Sequence, residues 1–182
     1  MVDIYKSKLT NLQQAILRLL FVRMGEKLNQ RAIAIALDVS ATAVMKALPE
    51  MERMDFIKLE KDKESKRIAI ELNRENHLVM QLKRADNLKL IYESGLVDFL
   101  EREFAGGTII LFGSYSLGED NNKSDIDIAV IGRKDKIIDL KKFENLFSRQ
   151  ININFYGSFK EINKNLKDNI LNGIVLCGGV EL

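Results

Sequence analysis

The chain has 182 residues, of which 46% are hydrophobic and 30% charged, with 28 Lys and Arg against 26 Asp and Glu. This length suits one or two small domains, and this composition excludes a disordered chain. One Cys and one His exclude a disulfide framework or a zinc site built from them. No apolar run approaches the ~20 residues of a membrane span, so we expect a cytoplasmic protein with no membrane contact.

Three helices are predicted at the start of the chain, over residues 9–24, 30–37 and 41–54. Their apolar residues recur at helical spacing, and polar N-cap residues precede the second and third helices. Pro49 lies inside the third helix, where it is expected to kink the helix or to end its first part.

Two strands are predicted next, at residues 56–60 and 66–72, because polar and apolar residues alternate there. The charged turn 61–65 joins them. Three helices followed by a charged hairpin resemble the winged helix-turn-helix of prokaryotic transcription regulators. Asp55 stands where relatives tend to have Gly.

This resemblance implies DNA as a partner. The third helix would enter the major groove with Thr42 and Lys46 facing outward. The wing would contact phosphates through four basic residues, Lys61, Lys63, Lys66 and Arg67. The base-reading end of the helix has no Arg, Asn or Gln, so a winged helix used only for protein contacts is the alternative.

A linker follows from residue 73 to residue 104. Apolar residues recur there in steps of three or four, and Ser94-Gly95 interrupts them. We therefore predict one helix that ends at residue 93 and a second from about 96 to 104. The apolar stripe of the first helix would pack on the winged helix or pair with a second copy of the chain, and we favour the homodimer.

The most informative motif of the sequence comes after the linker. A short apolar strand at residues 108–112 ends in Gly113-Ser114, and a polar turn leads to Asp125-Ile126-Asp127 at the start of a second strand. Alternate residues of a strand share one face, so the two carboxylates point the same way, roughly 7 Å apart at their Cα atoms. Such a pair favours a hard cation, Mg²⁺ or Mn²⁺. Gly113 lets the backbone approach a ligand, and Ser114 stands where free N–H groups suit a phosphate.

The run from Leu111 to Val130 resembles the nucleotidyltransferases of the DNA polymerase β superfamily, and is most similar to the small "minimal" domains of prokaryotes. The resemblance covers residues from about 105 to 182. It implies metal-dependent transfer of a nucleotide from a nucleoside triphosphate to a hydroxyl of a protein, an RNA or a small molecule. Small members of this family act as antitoxins that modify a partner toxin. The implied residues are Asp125 and Asp127 for catalysis and metal, and Gly113, Ser114, Lys123 and Ser124 for the nucleotide.

The chain departs from the family pattern twice. Relatives carry a third Asp or Glu on a following strand, but the candidate strand, residues 150–156, shows Asn152 and Asn154 on its polar face. We favour Asn154 as the third metal ligand. Leu117 stands where many relatives carry Arg. The alternative function is therefore a DNA-binding transcriptional regulator whose degenerate transferase domain senses nucleotides or dimerises.

The predicted fold class is α+β. A winged helix-turn-helix domain would cover residues 1–74, linker helices 75–104, and a polymerase-β-like nucleotidyltransferase domain with a small mixed sheet 105–182. Two further helices are predicted within the last domain, at residues 136–147 and 159–171.

Overall fold

The structure, a computed structural model, describes residues 9–61 and 68–181. The chain divides into two compact units, and the boundary falls between Met80 and Gln81. The mixture of helices and strands confirms the predicted α+β class.

Three helices belong to the first unit: α1 (Asn11–Val22), α2 (Gln30–Ala36) and α3 (Ala41–Arg53). Each begins after a polar residue whose side chain accepts a backbone N–H of the first turn, namely Thr10, Asn29 and Ser40. Such caps satisfy donors that have no partner inside the helix, which is why α2 and α3 start at the predicted residues and α1 starts after Thr10 rather than at residue 9.

The third helix runs through Pro49 without interruption. The expectation that Pro49 would end the first part of this helix is therefore wrong. Proline removes one backbone hydrogen bond, but Leu48 and Met51 on either side are buried. Their packing holds both parts of the helix in place.

A three-stranded antiparallel sheet completes the first unit, with strands β1 (Leu28–Asn29), β2 (Ile57–Lys61) and β3 (Ile68–Leu72) in the order β1-β3-β2. Strand β1 has no signal in the sequence, because two residues are too few to show a period. The element order α1-β1-α2-α3-β2-β3 is that of a winged helix, as predicted. Lys61 ends β2 and is exposed. Lys63, Lys66 and Arg67 lie outside the described residues.

Asp55 adopts a left-handed conformation between α3 and β2, with φ of 59°. The buried side chain of Asn73 donates to the Asp55 carbonyl oxygen at 3.0 Å and to its carboxylate at 2.8 Å. Asp tolerates this conformation better than most residues, and these bonds hold it there. An Asp can therefore stand where winged-helix relatives tend to have Gly.

The linker forms two helices, α4 (His77–Glu93) and α5 (Leu96–Glu103). Gly95 separates them in a left-handed conformation with φ of 74°, which confirms the predicted break. On the predicted apolar stripe, Leu78 and Tyr92 are about half exposed, at 51% and 49%. Pairing of this stripe with a second copy stays a prediction.

The second unit is built on a mixed sheet of four strands: β4 (Thr108–Phe112), β5 (Ile126–Ile131), β6 (Ile151–Tyr156) and β7 (Ile174–Cys177). Their order is β6-β5-β4-β7, with β5 and β6 parallel and the other pairs antiparallel. Three helices follow strands of this sheet, namely α6 (Gly113–Leu117), α7 (Lys141–Phe147) and α8 (Lys164–Leu171). Helix α5 and helix α7 contribute to the core on one face, and α8 to the core on the other.

The last two helices are shorter than predicted. Helix α7 begins at Lys141 rather than at residue 136. The Asp139 side chain accepts the Lys141 N–H at 3.0 Å in a turn just before the helix, and Ile137 is fully exposed, so no packing extends the helix backwards. Helix α8 begins after Asn163, whose side chain accepts the Leu166 N–H at 3.0 Å. Residues 159–161 form a separate 3-10 turn instead.

Within residues 9–61 and 68–181, no single helix is long and apolar enough to cross a membrane. Helices α2 and α3 together have the length and composition of a membrane span, but the chain bends by 111° between them.

Candidate nucleotide site

Gly113 and Asp127 approach closely at one end of the sheet. Antiparallel pairing of β4 with β5 sets Phe112 opposite Asp127, and Gly113 is the next residue. Its φ is 73°, in the left-handed region. A Cβ atom at this position would lie 2.8 Å from Asp127 Oδ2, so the Asp127 carboxylate would have to move to admit a side chain. Both the backbone conformation and the space therefore favour glycine.

The two carboxylates of the Asp pair converge on one amide group. Asn152 Nδ2 lies 3.2 Å from Asp125 Oδ2 and 3.2 Å from Asp127 Oδ1. The parallel register of β5 with β6 produces this contact, since it sets Asn152 beside Asp127. The carboxylates share one face, as the sequence predicts, and a single donor bridges them.

The structure brings Asn152, and not Asn154, to the two carboxylates, while a metal at this site stays a prediction. Asn154 lies beside Ala129, two residues further along β6 than the residue that contacts the carboxylates. Strand register decides between the two Asn residues, and the sequence alone does not specify that register. In the part of the chain that the structure describes, no group of three His, Cys, Asp or Glu side chains is placed to hold a metal ion.

The donors present nevertheless fit one Mg²⁺ ion with a nucleotide. This ion is usually bound through one or two carboxylates together with waters and phosphate oxygens. Asp125 and Asp127 are half-buried and bring two carboxylate oxygens to one point. Rotation of the Asn152 amide would present an oxygen to the same point, since either end of an amide can occupy it. An amide is not a base, so Asn152 supplies neither a third carboxylate nor a proton acceptor to this site.

The other predicted nucleotide residues lie on α6 and in the turn before β5. Ser114 is half-buried in α6, and its carbonyl accepts the Glu119 N–H at 2.9 Å. The Ser124 hydroxyl accepts the Asn121 N–H at 3.0 Å and so helps to form the turn. The side chain of Lys123 is exposed. Roles for Ser114, Lys123 and Ser124 in nucleotide binding stay predictions.

Sequence reasoning missed a buried polar cluster beside this turn. Asp120 is 1% exposed. Its Oδ1 accepts bonds from the Lys83 ammonium and from Asn87 Nδ2 at 2.7 Å, and its Oδ2 accepts from the Arg149 guanidinium at 2.8 Å. Burial lowers the pKa of Lys83, and the attraction of Asp120 partly offsets that shift.

A signal for half of the cluster was present in the sequence. Val79, Lys83, Asn87 and Ile91 recur every fourth residue and form one buried row on α4. A polar pair inside such an apolar row indicates a buried partner, because an unpaired buried charge is costly. Asp120 itself looked like an ordinary turn residue.

The described residues predicted to contact DNA lie at the surface. Thr42 and Lys46 on α3 are exposed, whereas Val44 and Leu48 of the same helix are buried. The predicted orientation of this helix is therefore confirmed, and a contact with DNA remains to be tested.

The first unit is thus a winged helix, and the second unit combines a mixed sheet, a Gly-Ser turn and a paired carboxylate site. Residues 93–177 match the family described as "Nucleotidyltransferase domain". This match confirms the resemblance to nucleotidyltransferases over residues 93–177, and the order of helices and strands in the first unit confirms the resemblance to a winged helix.

Solved structures similar to the N-terminal part of the chain are bacterial regulators. Staphylococcus aureus MepR, a transcription regulator of a multidrug efflux pump, shares 28% identity over 53% of this chain and 69% of its own, with a TM-score of 0.42. The adhesin competence repressor of Streptococcus pyogenes shares 25% identity over 57% of this chain and 72% of its own, also at 0.42. A MepR mutant from a clinical isolate shares 26% identity, with a TM-score of 0.37. The match covers 41% of this chain and only 55% of that protein. No curated protein sequence matches the chain.

Proposed function

We propose that this protein binds DNA through its winged helix and binds a nucleoside triphosphate with Mg²⁺ or Mn²⁺ at the Asp125 and Asp127 pair. The observation that carries the proposal is the convergence of both carboxylates on Asn152, each at 3.2 Å. Two carboxylates and an amide suit a metal–nucleotide complex, and the missing third acid argues against fast transfer.

Each residue has one role in this proposal. Asp125 and Asp127 hold the metal, which when bound neutralises phosphate charge and polarises the α-phosphate. Gly113, having no side chain, leaves its backbone open to the triphosphate beside Asp127, and Ser114 follows it as a hydrogen-bonding partner for phosphate. Leu117 adds no positive charge where relatives carry Arg, so Lys123 is the cation that the turn itself can offer.

Transfer requires removal of a proton from the acceptor hydroxyl, whether on a protein, an RNA or a small molecule. General-base catalysis typically contributes about 10²–10⁴-fold, and the Asn152 amide cannot accept that proton. The protein would therefore bind a nucleotide and transfer it slowly. Nucleotide sensing by a DNA-binding regulator is the function that this site supports best.

Calorimetry with Mn²⁺ and each nucleoside triphosphate tests the binding site. The wild type should bind, and the double variant Asp125→Asn with Asp127→Asn should not, because the amides keep the shape and remove the charge. Equal binding by both proteins would show that the nucleotide does not use this pair.

Labelled nucleoside triphosphates with Mg²⁺ test the missing acid. Asn152→Asp should raise label transfer well above that of the wild type, by at least about tenfold if the new carboxylate acts as a base. Asn154→Asp is the matched control, since it adds the same charge to the same strand face beside Ala129. Brisk transfer by the wild type, or equal gains in both variants, would contradict the role given to Asn152.

Salt dependence tests the DNA contacts. Replacing the wing residues Lys61, Lys63, Lys66 and Arg67 with Ala should weaken binding to non-specific duplex DNA and flatten the log–log salt dependence by about one unit per lost phosphate contact. Lys46→Ala on α3 should act in the same direction. If affinity and slope stay as in the wild type, the winged helix serves protein contacts instead.

A further inference from the structure

Buried hydrogen bonds within the second unit fix the turn between the Gly-Ser motif and the Asp pair. Asp120 lies in this turn, and its carboxylate is buried among three donors, from Lys83, Asn87 and Arg149. In residues 9–61 and 68–181, no buried side-chain nitrogen or oxygen lacks a hydrogen-bond partner. A saturated cluster of this kind fixes geometry, because removal of any member leaves a buried charge or dipole without a partner.

The donors reach both ends of the turn as well as its centre. Asn87 Nδ2 also donates to the carbonyl of Tyr115, two residues after Gly113, at 2.9 Å. Arg149 Nη1 donates to the carbonyl of Ser124, the residue before Asp125, at 2.7 Å, and also to the Asn121 carbonyl. Its guanidinium lies 5.5 Å from the centre of the Tyr115 ring. The same side chains therefore contact the segment beside the phosphate motif and the segment beside the metal ligands.

We propose that Lys83 and Asn87 of α4 are positioning residues for the nucleotide site and act on it through Asp120. This inference rests on the proposed function, since it assigns α4 to the site at Asp125 and Asp127. Lys83 and Asn87 precede residues 93–177, the part that matches the nucleotidyltransferase family. The residues that support the nucleotide site thus begin on α4, before the part that matches the family. Loss of the Lys83 and Asn87 contacts would make the turn and the site more mobile.

Hydrogen exchange on full-length variants tests this directly. Lys83→Met keeps the length of the side chain and removes its charge, and it should speed amide exchange in residues 118–127 by about tenfold relative to the rest of the second unit. Ile91→Ala is the matched control, since it removes buried packing from the same row of α4 but no polar contact. The control should speed exchange evenly over the unit. Asn87→Ala is the second variant and keeps the test decisive if Lys83→Met does not fold.

Nucleotide affinity supplies the second readout. Supporting residues behind metal ligands typically contribute about 10–100-fold to metal affinity, so Lys83→Met should bind Mn²⁺ with a nucleoside triphosphate at least about tenfold more weakly than Ile91→Ala. Unchanged exchange in residues 118–127, or an even increase like that of the control, would overturn the inference. A loosened turn with unchanged affinity would overturn it too. Failure of the wild type to bind any nucleotide would instead remove the proposed function, while the exchange experiment would still decide whether α4 positions the turn.

Discussion

Replacing Gly113 with Ala should damage the nucleotide site more than it damages the fold. The backbone of Gly113 is left-handed, with φ of 73°, and this conformation costs an L-residue about 1–2 kcal/mol. The new Cβ would also lie 2.8 Å from Asp127 Oδ2, whereas ordinary van der Waals contact begins at 3.4 Å. The Asp127 carboxylate must therefore withdraw by about 0.6 Å, the difference between these distances.

A shift of this size falls on a proposed metal ligand. Since a misplacement of about 1 Å can cost about 10²-fold in a functional site, a shift of 0.6 Å should weaken metal–nucleotide binding by about tenfold. Gly95→Ala is the matched control. Gly95 has φ of 74° and no atom within 4 Å of the position that a Cβ would take, so it has the same backbone cost without a collision.

Chemical denaturation and calorimetry with Mn²⁺ and a nucleoside triphosphate measure the two effects separately. Gly95→Ala should lose about 1–2 kcal/mol of stability and bind nucleotide like the wild type. Gly113→Ala should lose at least as much stability and bind about tenfold more weakly. If the two variants bind nucleotide equally well, the contact between Gly113 and Asp127 has no part in the site.

Three further predictions concern other parts of the chain. Burial lowers the pKa of Lys83 from its ordinary 10.5, so the cost of its buried charge disappears as the pH rises through the folded-state pKa. The free energy of unfolding of the wild type should therefore rise, relative to that of Lys83→Met, as the pH increases from that pKa to 10.5. A difference between the two proteins that stays constant from pH 7 to 10 would contradict this. Burial and the neighbouring Glu101 raise the pKa of the Cys177 thiol, so Glu101→Gln should speed its alkylation at pH 8, and an unchanged rate would contradict this. Pro49→Ala should stabilise the protein by about 2 kcal/mol, because alanine is favoured over proline inside a helix by about 3 kcal/mol and proline restricts the unfolded chain by about 1 kcal/mol. An unchanged free energy of unfolding in denaturant would show that the proline costs the helix nothing.

The sequence determined the elements whose signals are local. Side-chain caps at Asn29 and Ser40, a left-handed break at Gly95 and the apolar run of β5 all depend on residues a few positions apart. The Gly113-Ser114 and Asp125-Ile126-Asp127 motif belongs to this group as well, because a strand period of two alone places both carboxylates on one face. The residues of this motif are therefore sufficient to predict the family that residues 93–177 match.

The tertiary structure decided whatever depends on register or on distant burial. A parallel pairing of β5 with β6 brought Asn152 to the carboxylates instead of Asn154, and both residues have the same chemistry and face. A two-residue strand, β1, formed only because β3 supplied its partner. The cluster around Asp120 joins Lys83 to a residue 37 positions away. The free-energy cost of burying a charge depends on the groups that surround it in three dimensions. The partners of Asp120 are distant in the sequence, so the residues next to it do not reveal that it is buried.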